Sequence, residues 1–307
     1  MSDLHWLATA SLLRHQRRAG VLVTLSDVRG HAPRAAGTKM VVAAEETFGR
    51  IGGGNLEETA IARARALLDA GAREPESLLV SLSDRAHAEH GRQCCGGEVT
   101  VLLEPLAVVP SVAIFGLGHV GLELARVLAR HDVELHLADS RAAYVDPRVL
   151  AVLDGGPATI HTHHAPVPEV VLGEVPRGTH VLVMTHDHAE DFALCDAALR
   201  SGHLASVGLI GSAAKWRRFE KGLRLEGQPD EAIARIRCPI GAGGPAGKEP
   251  ATIALGVAAE LLAAFRAEVA RTRGRSSGPG PSTPPTTRTP AEHCAATTTS
   301  PSWWRTG

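Results

Sequence analysis

Residues 111–121 read "SVAIFGLGHVG", an apolar run that ends in Gly116, Gly118 and Gly121. A stretch such as "SVAIF", with no charge on either alternation, suits a strand buried on both faces. The glycines open a segment that sets Val120, Leu124, Val127 and Leu128 on one helical face. A second strand, "VELHLA", then delivers Asp139 about 20 residues beyond the turn, as a dinucleotide fingerprint requires. Gly116 permits the tight turn, Gly118 lets a pyrophosphate approach the backbone, and Gly121 lets the helix pack closely. The helix N-terminus adds N–H donors and partial positive charge. Asp139 would accept from a ribose, whereas Arg141 would meet a phosphate. Gly116, Gly118, Gly121 and Asp139 are therefore candidates for binding NAD(P), and a valine at Gly118 is expected to distort the second domain or its docking. Hydride transfer asks for more, namely a proton-transferring group beside the nicotinamide. No Tyr-x-x-x-Lys pair follows the turn, and Tyr144 is the single tyrosine.

The same alternation runs outward from this stretch. Strands are expected at 111–115, 133–138, 158–162, 180–184 and 205–210, and helices at 119–130, 189–201, 213–225 and 250–271. Strands alternating with helices imply a doubly wound, Rossmann-like parallel sheet over residues 111–271. In the last helix Pro250 falls in the first turn, and Ile253, Val257, Leu261, Leu262, Phe265 and Val269 form a stripe. Residues 1–110 read as a smaller N-terminal α/β domain. Its first helix sets Leu4, Leu7, Ala8 and Leu12 on one face. Strands follow at 21–28 and 38–42, on either side of "RGHAPRAAG". A helix places Leu56, Ala60, Ile61, Ala64, Leu67 and Leu68 at helical spacing and stops at Gly71. Two further strands, 77–82 and 98–106, flank a polar loop with Cys94 and Cys95. Residues 272–307 are rich in Pro, Ser and Thr and are expected to be disordered.

Composition narrows the function. Charged residues make up 21% of the 307 and nearly cancel, leaving a formal net charge of −1, which argues against nucleic-acid binding. No apolar run of membrane-spanning length is read, and the first residues lack the order of a signal peptide. The five cysteines have no framework spacing, so free thiols in a reducing compartment and a cytoplasmic location are expected.

Several loops carry chemistry. Gly52, Gly53 and Gly54 fall between a strand and a helix, where consecutive backbone N–H groups suit an anion; Asn55 is the expected helix cap, and Arg34 offers a bidentate cation on a neighbouring turn. In "QCCGGEV", Cys94 and Cys95 precede Gly96 and Gly97. Adjacent thiols suit neither a mutual disulfide nor a zinc site, and a thiolate is a soft ligand. One functional thiol, or one structural and one incidental cysteine, are equally open. "MTHDHAEDFALC" places His186, Asp187, His188 and Asp191 after a strand, as a cleft-lining loop or, less favoured, a metal site; Thr185 and Asp187 also suit a helix start. His161, His163 and His164 read as surface loop residues. Gly208, Gly211 and Ser212 are candidate ligand contacts, and Cys238 and Lys248 lie in a glycine-rich loop. A cleft between the two halves is the expected ligand site.

Taken in order, "HAPRAAGTKMVV", "GRIGGGNLEE", "CCGGEV", "FGLGHVG", "DSR", "THDHAEDFALC", "GLIGSAAKWRRFE" and "CPIGAGGPAGKEPATIA" resemble the XdhC/CoxI family, accessory proteins of molybdenum hydroxylases. The likeness spans roughly residues 20–265; it does not extend to the tail, Cys94 is an additional thiol, and "GAGGPAGKEP" is looser than the usual continuation. The resemblance implies a protein that binds the molybdenum cofactor, a molybdopterin, and supports its sulfuration with a cysteine desulfurase. It further implies delivery to apo xanthine dehydrogenase or a related hydroxylase, so a cofactor chaperone is favoured over an enzyme. Transferred by position, the family's motifs fall on Gly52, Gly53 and Gly54 and on Cys95, Gly96 and Gly97, with Cys95 the candidate molybdenum contact. Arg34 joins them as a phosphate partner. A homodimer is carried as a candidate assembly, and an NAD(P)-dependent oxidoreductase as the alternative function.

Overall fold

A computed structural model describes residues 5–82, 97–245 and 247–276, with side chains given through Glu268. Helix α1 (His5–His15) leads into β1 (Gly20–Arg29), β2 (Lys39–Val42), β3 (Thr47–Gly49), α2 (Gly54–Asp69), β4 (Glu76–Ser81) and β5 (Glu98–Leu106). These strands form an antiparallel sheet in the order β3-β2-β1-β5-β4. Alternation along β5 buries Val99, Val101 and Leu103, and α2 covers that face with Leu56, Ala60, Ile61, Ala64 and Leu67. Helix α1 packs by Thr9 and Leu13, while Leu7, Ala8 and Leu12 are exposed, so that part of the expected Leu4-Leu7-Ala8-Leu12 face is not the buried one, and Leu4 lies outside the described residues. The buried face is offset by one residue from the expected one, which on a helix is a turn of about 100°.

The second sheet is built from β6 (Ser111–Phe115), β7 (Glu134–Asp139), β8 (Thr159–His164), β9 (His180–Val183), β10 (Ser206–Leu209) and β11 (Ile236–Arg237). All its pairs are parallel, in the order β11-β10-β9-β6-β7-β8. Numbered within the domain this is 6-5-4-1-2-3, the Rossmann arrangement. All five residues of β6 are buried, as a central strand covered on both faces requires. Helices α3 (His119–Leu128) and α8 (Pro250–Ser276) cover one face around Leu124, Leu128, Val257, Leu261 and Phe265. Helices α5 (His188–Ser201) and α6 (Ala213–Leu225) cover the other, around Leu194, Cys195, Leu199, Phe219 and Leu223, and single-turn helices α4 (Pro147–Leu150) and α7 (Asp230–Ile233) lie in the connections to β8 and β11.

The histidines 161, 163 and 164 belong to strand β8 and not to a loop. Helix α8 continues to Ser276, past the boundary expected at 271, while residues 277–307 lie outside the described set. Among the described residues, the window Pro250–Glu268 is by length and composition apolar enough to cross a membrane, which no apolar run was read as being. Its buried stripe, Ala254, Val257, Ala258, Leu261 and Phe265, is part of the core shared with α3.

Candidate functional site

The turn after β6 assigns a different role to each glycine. Gly116 has φ +100°, and a Cβ there would stand 2.4 Å from the Met184 carbonyl oxygen. A Cβ at Gly121 would lie 2.0 Å from the Gly116 carbonyl oxygen, so α3 can approach its own turn only with glycine at that position. Gly118 is the N-cap of α3 at φ −65°, with nothing within 4 Å of where a Cβ would stand. Its openness is what a close-approaching phosphate needs. It also corrects the expectation that a valine there distorts the domain, because the conformation is ordinary and the space is free. The turn lies between β6 and β9, the switch point at which doubly wound sheets bind ligands.

Asp139, at the end of β7, is 2% exposed and already committed. It accepts from the Leu117 amide at 2.8 Å, and from the Arg141 amide, Nε and Nη2, each at 2.9 Å. Four donors use the acceptor capacity of one carboxylate. Burial pushes this carboxyl up, but the bonds from Arg141 and Leu117 outweigh it and leave it below its ordinary value. Arg141 in turn lies 3.6 Å over the Tyr144 ring. The place for a phosphate is open, whereas the place for a ribose is closed by an internal ion pair.

The loops after β9 and β10 are held from beneath by a pair that no local pattern announces. Asp191 is fully buried; it accepts from the Thr185 amide at 2.9 Å and from Lys215 Nζ, which also donates to the Ile210 carbonyl at 2.9 Å. Gly211 makes room for the Lys215 stem, since a Cβ would stand 2.8 Å from its Cδ. Gly208 packs on Ile240 and Leu182, and Ser212 caps α6 by accepting from the Lys215 amide. These three expected ligand contacts therefore have structural roles. Asp187 caps α5, as its position before the helix implies, and the amides of Glu190 and Ala189 hold its carboxyl low. With Asp191 spent on Lys215 and Asp187 on the cap, residues 186–191 do not converge on a metal. Burial raises the thiols of both Cys195 and Cys238, so neither is an activated nucleophile.

In the antiparallel sheet a second cluster forms at the end remote from the linker to β6, where Arg29 pairs Glu98. Gly52, at φ +140°, packs against Pro33: a Cβ there would meet the proline Cγ at 2.5 Å and Arg34 Cγ at 3.8 Å. Gly97 packs against the same turn, with a Cβ site 2.2 Å from the His31 carbonyl oxygen. The 31–34 turn thus joins the three-glycine bend to the segment that follows Cys95. Cys94, Cys95 and Gly96 lie outside the described residues. The bend already holds an anion of its own: Glu57 Oε2 accepts from the amides of Ile51 at 3.0 Å, Gly52 at 3.3 Å and Gly53 at 3.0 Å. Helix α2 begins at Gly54 with Gly53 as N-cap, so Asn55, expected as the cap, is instead a buried residue inside the helix.

Between the halves there is a groove of about 560 Å³, lined by Leu7, Leu13, Arg14, Val108, Pro110 and Asp132. It lies at the amino edge of the parallel sheet, and none of the expected ligand residues is among the described residues that line it.

A six-stranded parallel sheet wound on both faces, with this turn at its switch point, defines a Rossmann-domain protein. Residues 112–261 match the XdhC Rossmann domain and residues 13–81 match the XdhC and CoxI family. The chain belongs to that family. Among curated proteins, the uncharacterized protein YqeB of Escherichia coli strain K12 is 27% identical over 254 residues, which are 82% of this chain and 45% of YqeB, so the chain spans about half the length of that relative. Among solved structures, a xanthine dehydrogenase from Bacillus halodurans is 19% identical, with 91% of this chain and 98% of that one covered and a TM-score of 0.43. The E. coli tRNA N6-threonylcarbamoyladenosine dehydratase is 15% identical over 53% of this chain and 88% of its own, with a TM-score of 0.41.

Proposed function

We propose that the chain is an accessory protein in xanthine dehydrogenase maturation, acting in the cytoplasm, and that it holds the molybdenum cofactor at the N-terminal loop cluster. Family membership supports the accessory role. The observation that carries the placement is the 31–34 turn, which packs on both Gly52 and Gly97 and so draws Arg34, the glycine bend and the approach to Cys95 together.

The residues fit such a group. Three amides that converge on one carboxylate oxygen make a nest for an anion, and Arg34 is an exposed cation whose side-chain stem approaches Gly52 of the bend. A phosphate entering there takes the place of Glu57, which frees that carboxylate to turn outward. Cys95, two positions before Gly97, would supply a soft sulfur donor to molybdenum. When bound, the cofactor supplies a metal centre able to exchange an oxo for a sulfido ligand. The chain holds and shields that group, with sulfur drawn from a cysteine desulfurase, before passing it to the apo-hydroxylase.

The test is retention. Purified protein loaded with molybdenum cofactor and desalted should keep molybdenum and pterin together in a fixed ratio, and Cys95→Ala should lose most of the molybdenum. A wild type that retains neither would remove the reading, and equal retention by Cys95→Ala would remove only the role given to that thiol. The open backbone at Gly118 favours a second reading, an NAD(P)-dependent oxidoreductase. Tight NADH binding with turnover of a small substrate would promote it.

A further inference from the structure

The proposed function leaves unused a set of imidazoles on the β7–β8 edge. Parallel pairing sets His136 opposite His161, Glu134 opposite Thr159 and Ala138 opposite His163. Residues two apart on a strand share a face, so Glu134, His136, His161 and His163 all project from the same side. The His161 ring stacks on His136 with centroids 4.7 Å apart, and His163 lies at 5.5 Å. Such a face normally carries aliphatic side chains against the core. Here the His136 side chain is only 7% exposed, and its Nε2 is buried without a hydrogen-bond partner.

The hydrogen bonds decide which nitrogen carries a lone pair. Glu174 lies 3.3 Å from His163 Nδ1, so that nitrogen bears the proton and donates to the carboxylate. His163 Nε2 is then an acceptor, and His136 Nδ1, at 3.3 Å, donates to it. A neutral imidazole has one N–H, which leaves His136 Nε2 with a bare lone pair. That lone pair faces Glu134 Oε1 at 3.4 Å, and His161 Nε2 lies 3.0 Å from the same oxygen. Two electron-rich atoms brought together in a buried site call for a cation between them. The other Glu134 oxygen, Oε2, is paired with Arg17, which fixes the carboxylate and leaves Oε1 for that role.

We infer that Glu134, His136 and His161 form a binding site for a divalent transition-metal ion of the zinc type, with a water in the fourth position. Their donor atoms all lie within 4.8 Å of one another. Donors about 2.0 Å from a tetrahedral ion stand about 3.3 Å apart, close to the two carboxylate–imidazole separations here. The Glu174–His163–His136 chain is the outer hydrogen-bonding that orients a metal-binding imidazole. Nitrogen and oxygen donors without thiolate suit zinc, cobalt or iron(II) over calcium or copper(I). The ion would pin β8, the edge of the sheet, to β7.

The experiment uses the untagged full chain, stripped with EDTA and titrated with Co²⁺. One equivalent should bind, with the visible d–d absorption of a tetrahedral site and no thiolate charge-transfer band, and Zn²⁺ should displace it. The His161 ring is 43% exposed, so His161→Ala should keep its fold, checked by circular dichroism, and weaken Co²⁺ binding about 100-fold or more. His186→Ala, an exposed histidine elsewhere, should bind as the wild type does. Absence of binding to the wild type would mean that the lone pair faces only a proton and would overturn the proposal. So would unchanged binding in a folded His161→Ala, or a thiolate band placing the metal on cysteine.

Discussion

Replacing Lys215 by methionine is expected to destabilise the parallel-sheet domain far more than an ordinary surface change. Asp191 is fully buried; Lys215 is the cation paired with one of its oxygens, while the other accepts from the Thr185 amide. Methionine matches the stem that fills the space beside Gly211 but leaves a buried carboxylate without its cation. Breaking one side of a buried pair costs about 3–5 kcal/mol, against about 1 kcal/mol or less for an exposed pair. With a urea slope of about 3 kcal/mol/M, the midpoint should fall by roughly 1–1.7 M when followed by far-UV circular dichroism. The double variant Lys215→Met/Asp191→Asn removes the stranded charge and keeps an acceptor for Thr185, so it should recover part of that loss. A single variant within about 1 kcal/mol of wild type, or a double variant less stable than the single, would refute the buried-pair argument.

Gly121→Ala should cost several kcal/mol, because its Cβ meets the Gly116 carbonyl at 2.0 Å, while Gly118→Val should fold with less than about 1 kcal/mol lost; thermal melts of both compare them directly. Glu57→Gln should cost about 1–2 kcal/mol at the start of α2, since a neutral amide oxygen accepts the three amides less strongly, yet should raise cofactor retention if a phosphate takes its place. His180 is buried, with Nδ1 2.8 Å from Ser206 Oγ; burial holds its pKa below the ordinary 6.5 despite the opposing charge of Glu268. A histidine depressed in the folded state contributes stability above its unfolded pKa and loses it as pH falls. The unfolding free energy from urea titrations should therefore drop from about pH 6.5 downward, by at most about 1.4 kcal/mol per pH unit, and His180→Leu should flatten that slope.

The parallel sheet was legible because its signals are local. "SVAIF", the glycines after it and the stripes of α3 and α8 each announce an element within one or two turns. The short pieces were not: β3 and β11 have three and two residues, too few for a periodicity to declare itself. In the amphipathic but weakly apolar α1, Leu7 and Leu12 drew the stripe away from Leu13, whose burial depends on contact with the sheet. At the candidate sites the glycines were readable and their partners were not. Arg141, two residues on, closes Asp139 to a ribose, and nothing in the spacing says whether that arginine points at a ligand or back at its neighbour. Glu57 stands in the first turn of α2, where an acidic residue is a familiar helix signal, but the return of its carboxylate to three amides needs the bend that the glycines create. The Lys215–Asp191 pair joins residues 24 positions apart on two helices and leaves no mark in either segment. The β7–β8 imidazoles were missed for a different reason: the strand expected at 158–162 stops short of His163, and nothing in "TIHTHH" shows that His136 stands opposite His161.

The central claim is that the cofactor lies at the N-terminal bend and not at the switch point of the parallel sheet. Cofactor retention in Arg34→Ala set against Gly118→Val measures this within one assay. Arg34→Ala should lose about 10-fold or more, the worth of one charge-assisted contact to phosphate, and Gly118→Val should retain the cofactor as the wild type does. Retention kept in Arg34→Ala and lost in a folded Gly118→Val would contradict it.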